Sequence, residues 1–529
     1  MRISTSQMFS SSVAGYSKGY ADIVKTQQQI SSGVRIQTPA DDPVGAARLL
    51  QLEQQQTLLT QYSGNMTSAT NALSQQESVL STITNVLQRA RELAVQAGDG
   101  SLTDEDRSAI ADELGEIEDQ LLSLMNSKDA NGNYLFSGSK GGTQPFVKNP
   151  DGSYSYQGDQ SALSVQVSDT LNLVVSDSGW SVFGSASNAD RTQSSLTTNP
   201  NGDDIQRVYL SQGTVSSEKS YNSSFREGSP YTLNVVSSTQ FQILDSDGND
   251  VTSEVTGSGT YDATSEDGVT ITFRGVDITL DVALSSTDDE TDMDSLVSGY
   301  SFSFGVQPDT FSVTRSATNS STAQMSGGTI SNATSYATSF PDNGVLVKFT
   351  SATAYEVYAL PTSSGATAIS SGTLSGSYPD TITIGGVDFS ISSAAATGDQ
   401  FSLTSSSHET QSILDTIANL RTALSTSTEG DTQAQLNISD AVASALTNLD
   451  YGMAQVDKTV SSIGARMNTI DTLTTENESL SLVNSTTQSS IRDTDMAAAA
   501  SKLILQQTML EAAQAAFAKV SQLSLFDVI

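Results

Sequence analysis

The sequence predicts an α+β multidomain chain, with long coiled-coil helices formed by paired N- and C-terminal segments and β-rich domains inserted in the middle. Three observations carry this prediction. Apolar residues recur in steps of three and four at both ends, the spacing that keeps one seam facing a partner helix. That periodicity stops from about Ala130 to Ser405, where Gly, Ser, Thr, Asp and short β-branched runs take over. Within that stretch one strand-like pattern occurs twice.

The first helix has a seam of Phe9, Val13, Tyr16, Tyr20, Ile23, Gln27, Ile30 and Val34. The last has Met496, Ala499, Leu503, Gln506, Leu510, Ala513, Phe517 and Val520. Each seam is short and has polar interruptions, so neither helix should hold well alone. After the break Pro39-Ala40-Asp41-Asp42-Pro43, a longer seam runs from Leu52 through Leu59, Met66, Leu73, Leu80 and Leu87 to Ala94, a rod of roughly 60 Å at 1.5 Å per residue. Gly98-Asp99-Gly100 ends it, and Thr103-Asp104-Glu105-Asp106 reads as an N-cap with an acidic first turn. A helix to about Asn126 follows, with Ile110, Leu114, Ile117, Leu121 and Leu124 on one face. Far downstream, a short helix with Ile413, Ile417, Leu420 and Leu424 precedes a second long seam, Leu446, Leu449, Met453, Val456, Val460, Ile463, Met467 and Ile470. Helices at both ends must pack together across the insert.

In the middle, Asn131-Gly132 is a hairpin turn signal ahead of Tyr134–Gly138. Strands are expected at Ser153–Tyr156, Leu163–Val167, Leu171–Val175 and Val208–Leu210. The repeat shares two steps. Gly275-Val276-Asp277-Ile278 matches Gly386-Val387-Asp388-Phe389, and Asp309-Thr310-Phe311-Ser312-Val313-Thr314 matches Asp399-Gln400-Phe401-Ser402-Leu403-Thr404. The expected segments are 1–48 paired with 486–529, 49–140 with 406–485, a β-rich stretch 141–229, and β repeats 230–320 and 321–405.

Composition excludes several classes of chemistry. There is no cysteine, hence no disulfide and no thiolate. The one histidine, His408, rules out paired-histidine metal sites and leaves little for acid–base catalysis. A net charge of −35 argues against nucleic acid and anionic membranes as partners. The start lacks the apolar core of a secretory signal, and no run of 18 apolar residues is present. Asp245-Ser246-Asp247-Gly248-Asn249-Asp250 resembles part of a calcium loop, but Asp250 stands where glycine is wanted, so an acidic turn is expected. Asp288–Asp294 reads as a solvated acidic loop, Glu409 as suited to a helix start, and Trp180 as local β packing. No catalytic residue, cofactor or metal site is expected.

Two terminal motifs carry a resemblance. Gln28-Gln29-Ile30-Ser31-Ser32-Gly33-Val34-Arg35-Ile36, followed by Pro39-Ala40-Asp41-Asp42-Pro43-Val44-Gly45-Ala46-Ala47, resembles the N-terminal signature of the bacterial flagellin superfamily. Ser490-Ile491-Arg492-Asp493-Thr494-Asp495-Met496-Ala497 resembles its C-terminal signature. The resemblance covers about residues 1–140 and 410–529. Pro39 and Pro43 around the aspartates, the start M-R-I-S-T and the end Ser524-Leu525-Phe526-Asp527-Val528-Ile529 look like the hook-associated branch rather than filament flagellin. The middle looks longer than in compact members.

The resemblance implies a non-catalytic structural component of the bacterial flagellum, forming the hook–filament junction. Implied partners are a first hook-associated junction protein, flagellin, further copies in a ring, and an export chaperone on the C-terminal helix at Leu503, Leu510, Phe517 and Val520. Implied localisation is extracellular, by type III export without a cleaved signal. Filament flagellin is the alternative; a secreted coiled-coil translocator or adhesin is a second. The assembly interface is expected at Ile30, Arg35, Pro39, Asp41, Asp42, Pro43, Arg48, Arg492, Asp493 and Asp495, besides the C-terminal helix positions. The prolines end one helix, and Asp41 and Asp42 cap the next and pair with a base, the candidates being Arg35, Arg48 and Arg492.

Overall fold

A computed structural model describes residues 5–526 apart from 150–151, 201–205, 266–267, 285–287, 289–291, 342, 363–364 and 429–430. Long helices occupy both ends: α1 Thr5–Ser32, α2 Pro43–Ala97 and α3 Asp104–Met125, then α8 Ile413–Leu424, α9 Thr432–Arg492 and α10 Met496–Phe526. Between them, among the described residues, lie twenty strands, the short helices α4 Glu218–Ser220, α5 Arg226–Gly228, α6 Met293–Val297 and α7 Ala333–Ser339, and single helical turns at Trp180–Gly184, Tyr221–Phe225 and Thr252–Glu254. The chain forms two compact units, residues 1–77 with 162–176 and 461–529, and residues 78–161 with 177–460.

In the first unit α1 pairs with α10. The start of α2 pairs with the end of α9 through side chains that reach across to backbone: Asn477 donates to the Leu59 carbonyl and Asn484 to that of Leu52, each at 2.9 Å. Leu59, Tyr62, Met66, Ala69 and Leu73 of α2 and Ile463 and Ile470 of α9 are buried along the expected seams. A hairpin of β3 Ser164–Gln166 and β4 Asn172–Val174 is tied to α2 by Asn65, which donates to the Gln166 carbonyl.

In the second unit the remainder of the α2 seam, from Leu80 to Ala94, is buried together with Ile110, Leu114 and Leu121 of α3, Leu414 and Ile417 of α8, and Leu449 and Val456 of α9. Helix α3 opens with a reciprocal capping box: Thr103 accepts the Asp106 N–H and the Asp106 carboxylate accepts that of Thr103. Glu118, 1% exposed, is held by Arg421 of α8 at 2.9 Å, by Lys148 at 2.5 Å and by the Tyr154 hydroxyl. Lys148 and Tyr154 stand on the hairpin β1 Phe146–Lys148 and β2 Tyr154–Tyr156. The Asn131-Gly132 turn forms, but Tyr134–Gly138 is irregular rather than a strand, with Leu135 and Phe136 buried beneath it.

The β region consists of two cores with one topology. In the first, β5 Thr192–Thr198, β12 Ser301–Val306, β8 Tyr231–Ser237 and β9 Gln240–Leu244 form one sheet in that order. The second sheet is β10 Val269–Phe273, β11 Val276–Val282 and β6 Val208–Leu210, with β7 Thr214–Val215 also on β11. In the second core, β13 Thr310–Arg315, β20 Gln400–Ser406, β15 Val345–Phe349 and β16 Ala354–Ala359 repeat the first order, extended by β17 Ser370–Thr373. Strands β14 Thr329–Ile330, β19 Val387–Ile391 and β18 Asp380–Ile384 repeat the other sheet. Both Gly-Val-Asp motifs open the second strand of a two-residue hairpin whose turn, Arg274-Gly275 or Gly385-Gly386, has positive φ throughout.

The other repeated motif is a different matter. The 309–314 stretch pairs as β13 with β20 of the second core, so it opens that copy rather than closing the first. Its counterpart in the first copy is β5, and β12 is the counterpart of β20. The copies therefore run from Thr192 to Val306 and from Thr310 to Ser406, not over 230–320 and 321–405. The similarity of β13 to β20 reflects two neighbouring strands under the same inward–outward alternation.

Three smaller expectations also change. Asp288 is not solvated but pairs with the largely buried Arg207 at 3.0 Å, and Asp294 accepts the Ser238 N–H. Asp289, Glu290 and Thr291 lie outside the described residues. Glu409 does not start a helix: Ser412 caps α8, and Glu409 pairs with Arg191 and Arg226. Trp180 begins a helical turn, 180–184, and is 38% exposed.

Candidate assembly site

The two terminal motifs meet. Residues 33–35 lie against the end of α9: Val34 bridges Asp493, the Arg35 N–H donates to the Arg492 carbonyl at 2.6 Å, and the Thr494 N–H donates to the Gly33 carbonyl at 2.8 Å. Arg35 donates from Nε and Nη2 to the Ile491 carbonyl at 3.2 and 2.7 Å, which places its charge at the negative end of a 61-residue helix. Gly33, with φ of +70°, lets α1 end and the chain turn into this bridge.

The prolines and aspartates then start α2. Pro43 is its first residue, where a missing N–H costs nothing. Asp42 caps it, Oδ1 accepting the Gly45 N–H at 2.9 Å and the backbone carbonyl accepting that of Ala46. A Cβ on Gly45 would lie 2.6 Å from Asp42 Oδ2 and 2.7 Å from Ile36 Cδ1, so the cap and the buried Ile36 together require glycine there. Asp41 faces back into its own loop, accepting the N–H groups of Gln37 and Thr38. Its cation is Lys25 of α1, at 2.5 Å. The Lys25 ammonium, aided by the Thr38 N–H, pulls the Asp41 carboxyl down to about 2.

The expected bases fare unequally. Arg35 stands 3.6 Å from Asp42, a loose pair; Arg492 pairs with its neighbour Asp493; Arg48 is exposed and has no ion partner among the described residues. Lys25 carries no signal in the sequence, because only the fold brings a mid-α1 lysine beside residue 41. Asp495 caps α10 through the Ala497 and Ala498 N–H groups. Pro39 and Pro43 are exposed and Ile30 is half-buried. The turn borders a cleft of about 530 Å³ lined by Asp22, Lys25, Gln29, Arg35, Asp42 and Lys502, among others.

Beyond the turn, α1 and α10 interlock. The ring of Phe517 packs 5.4 Å from Phe9 and edge-on to Tyr16 at 5.6 Å, and the Tyr16 hydroxyl donates to the Ala513 carbonyl. Leu510 sits 3.6 Å from where a Gly19 Cβ would be, and Thr26 donates to Gln506 at 2.8 Å. The α1 seam thus keeps the expected Tyr16 and Ile23 but uses Gly19 and Thr26 in place of the expected Tyr20 and Gln27, because small residues admit the α10 side chains. Tyr20 and Val13 are left outside, 64% and 44% exposed. On α10, Leu503, Leu510 and Phe517 are half-buried, whereas Ile504, Leu505 and Met509 face outward; the side chain of Val520 lies outside the described residues.

The two segments that meet here are also the two that match known families. Residues 3–141 match the bacterial flagellin N-terminal helical region, and residues 446–529 match the bacterial flagellin C-terminal helical region. Both ends of the chain are flagellin-like. The chain is 36% identical over 207 residues to flagellar hook-associated protein 3 of Salmonella typhimurium, covering 39% of this chain and 62% of that protein. It is 37% identical over 185 residues to the protein of the same name from Escherichia coli, covering 35% and 57%. A flagellin of Clostridium tyrobutyricum is 35% identical over 118 residues, 22% of this chain and 31% of that one. The chain spans about three fifths of the length of the hook-associated relatives. Among solved structures, FlgL of Xanthomonas campestris aligns over 83% of this chain and 99% of its own, at 22% identity and a TM-score of 0.41. Hook-associated protein 3 of Legionella pneumophila aligns over 83% and 98%, at 21% identity and 0.44.

Proposed function

We propose that this chain is a structural subunit of the bacterial flagellum that forms the junction between the hook-associated ring and the flagellin filament. The observation that carries the reading is the direct bridge between residues 33–35 and 491–494, which ties the N- and C-terminal signatures into one element. The names of the more extensively matching relatives favour the hook-associated branch over filament flagellin, whose match is shorter.

The partners follow from exposed surface. Helices α1 and α10 satisfy one face of each other and leave Tyr20, Val13, Ile504, Leu505 and Met509 uncovered. A helix pair apolar on its outer side needs further partners, and copies of this chain in a ring, with a first junction protein on one side and flagellin on the other, would supply them. An export chaperone would bind α10 before assembly. Because Leu510 and Phe517 face α1, such a chaperone competes with α1 rather than adding to it. Export to the cell exterior without a cleaved signal, and a purely structural rather than catalytic role, complete the reading. Among the described residues no helix is long and apolar enough to cross a membrane, and no group of three His, Asp or Glu residues is placed to hold a metal.

Immunogold electron microscopy of intact flagella with antibody against residues 230–405 tests this. Gold in one band between hook and filament is expected. Gold along the whole filament would make the chain a flagellin.

A further inference from the structure

One face of α9 carries Asp440, Ser444 and Asn448 at successive turns, and each is hydrogen-bonded to the β region or to a segment leading into or out of it. Asp440 Oδ2 accepts the N–H of Gln212 at 2.6 Å and that of Gly213 at 3.4 Å, both in the turn between β6 and β7. Ser444 Oγ lies 3.2 Å from Thr214 Oγ1. Asn448 accepts the Ala189 N–H at 2.6 Å and donates to Asn188 at 2.9 Å and to Gln411 at 3.1 Å. The stripe thus fastens the first β domain, the segment leading into it and the segment leading out of the β region to one helix. Ser444 and Asn448 are buried, so the fastening relies on satisfied polar groups in place of apolar packing.

One member of the stripe can change charge. Burial pushes the Asp440 carboxyl up to about 6; the Gln212 N–H, the Ser211 hydroxyl and the Gly213 N–H pull it down, and Asp190 pushes it up. Asp190, on the incoming segment, is itself raised by burial and opposed by His408 on the outgoing one. Other charges on these elements include Asp431, which caps α9, Asp450 of α9, which pairs with Arg91, Asp277 of β11, which stands opposite Thr214, and the network in which Arg191 meets Glu218 and Glu409, and Glu409 meets Arg226. The turn Ser211-Gln212-Gly213 carries no charge.

We infer that this mount is a proton-responsive joint: the β6–β7 turn stays seated on α9 while Asp440 is protonated, and it loosens when Asp440 ionises beside Asp190. The sign follows from linkage. A carboxyl whose value is raised by docking binds its proton more tightly when docked, so docking is favoured at acid pH and weakened as pH rises through about 6. Nothing in the joint depends on a flagellar role.

Hydrogen exchange of the full-length chain between pH 5 and 8, corrected for the intrinsic pH dependence of exchange, tests it. Protection of the 208–215 segment should fall roughly tenfold across that range. A carboxyl raised from 3.8 to about 6 sets a ceiling of roughly a hundredfold, and Asp440 falls short of it because it is only half-buried and solvent screens part of its charge. Asp440→Asn should hold the acid level of protection at pH 8, with α8 amides unchanged. Constant protection in the wild type, or the wild-type slope persisting in Asp440→Asn, overturns the joint. Should Asp440→Asn lose α8 protection and so fail to fold, the titration of the Asp440 carboxyl by NMR in the wild type and in Asp190→Asn decides. A midpoint near 6 that falls in Asp190→Asn supports the joint, and an ordinary carboxyl value or no change overturns it.

Discussion

Replacing Gly45 by alanine reverses the usual sign of that substitution. Gly45 occupies the third position of α2, where alanine ordinarily stabilises a helix by about 1 kcal/mol. Here the new Cβ meets Asp42 Oδ2 at 2.6 Å and Ile36 Cδ1 at 2.7 Å, both well inside normal contact. The carboxylate can retreat only by releasing the Gly45 N–H, at a cost of about 1 kcal/mol for a lost cap. Ile36, 9% exposed, can retreat only into its packed surroundings, and such overpacking costs about 1–3 kcal/mol. The sum is a net destabilisation of roughly 1–3 kcal/mol, set against the propensity gain. The assay is urea unfolding followed by circular dichroism, with hydrogen exchange at Gly45 and Ala46 reporting the cap. The double-mutant cycle with Asp42→Ala sharpens it. Asp42→Ala removes one of the two clashes, so the second substitution should cost less in its presence. A Gly45→Ala chain that unfolds at higher urea than wild type, or strict additivity in the cycle, would refute the steric argument.

The Asp41 carboxyl, held at about 2 by Lys25, favours the folded turn above its ordinary value near 3.8, and that contribution is lost as pH falls from about 4 to 2. Lys25→Met should move the Asp41 titration upward, read by carboxyl NMR. Glu118→Gln should lower stability by about 2 kcal/mol in chemical denaturation, below the full cost of breaking a buried pair because Lys148 and Arg421 are each more than a third exposed. If the proposed junction role holds, Asp42→Ala should impair assembly more than it lowers monomer helicity, and an equal loss of both would count against an assembly role for the turn. Residues 309–407, in which the first strand pairs with the last, should express as a cooperatively unfolding domain, and a chain lacking dispersed NMR resonances would contradict the strand order.

The helical ends are legible in the sequence alone, since a three–four seam buries one stripe whichever partner covers it. Leu59, Met66, Leu73, Leu80 and Leu87 are all buried as their spacing requires. The local chemistry of chain reversals is legible for the same kind of reason. The capping box at Thr103, the proline start of α2 and the Gly-Val-Asp hairpins each depend on residues within a few positions of one another. Partners distant in the chain emerge only once the elements pack. The α1 seam passes over Gly19 and Thr26 rather than Tyr20 and Gln27 because the shape of α10 selects small residues, and hydrophobicity alone cannot express that preference. The partner of Asp41 is Lys25, and the partner of Arg35 is a helix terminus 456 residues away. The repeat boundary fell elsewhere for a related reason: two neighbouring strands of one sheet resemble each other as closely as two equivalent strands of separate sheets, and only hydrogen-bond pairing tells them apart.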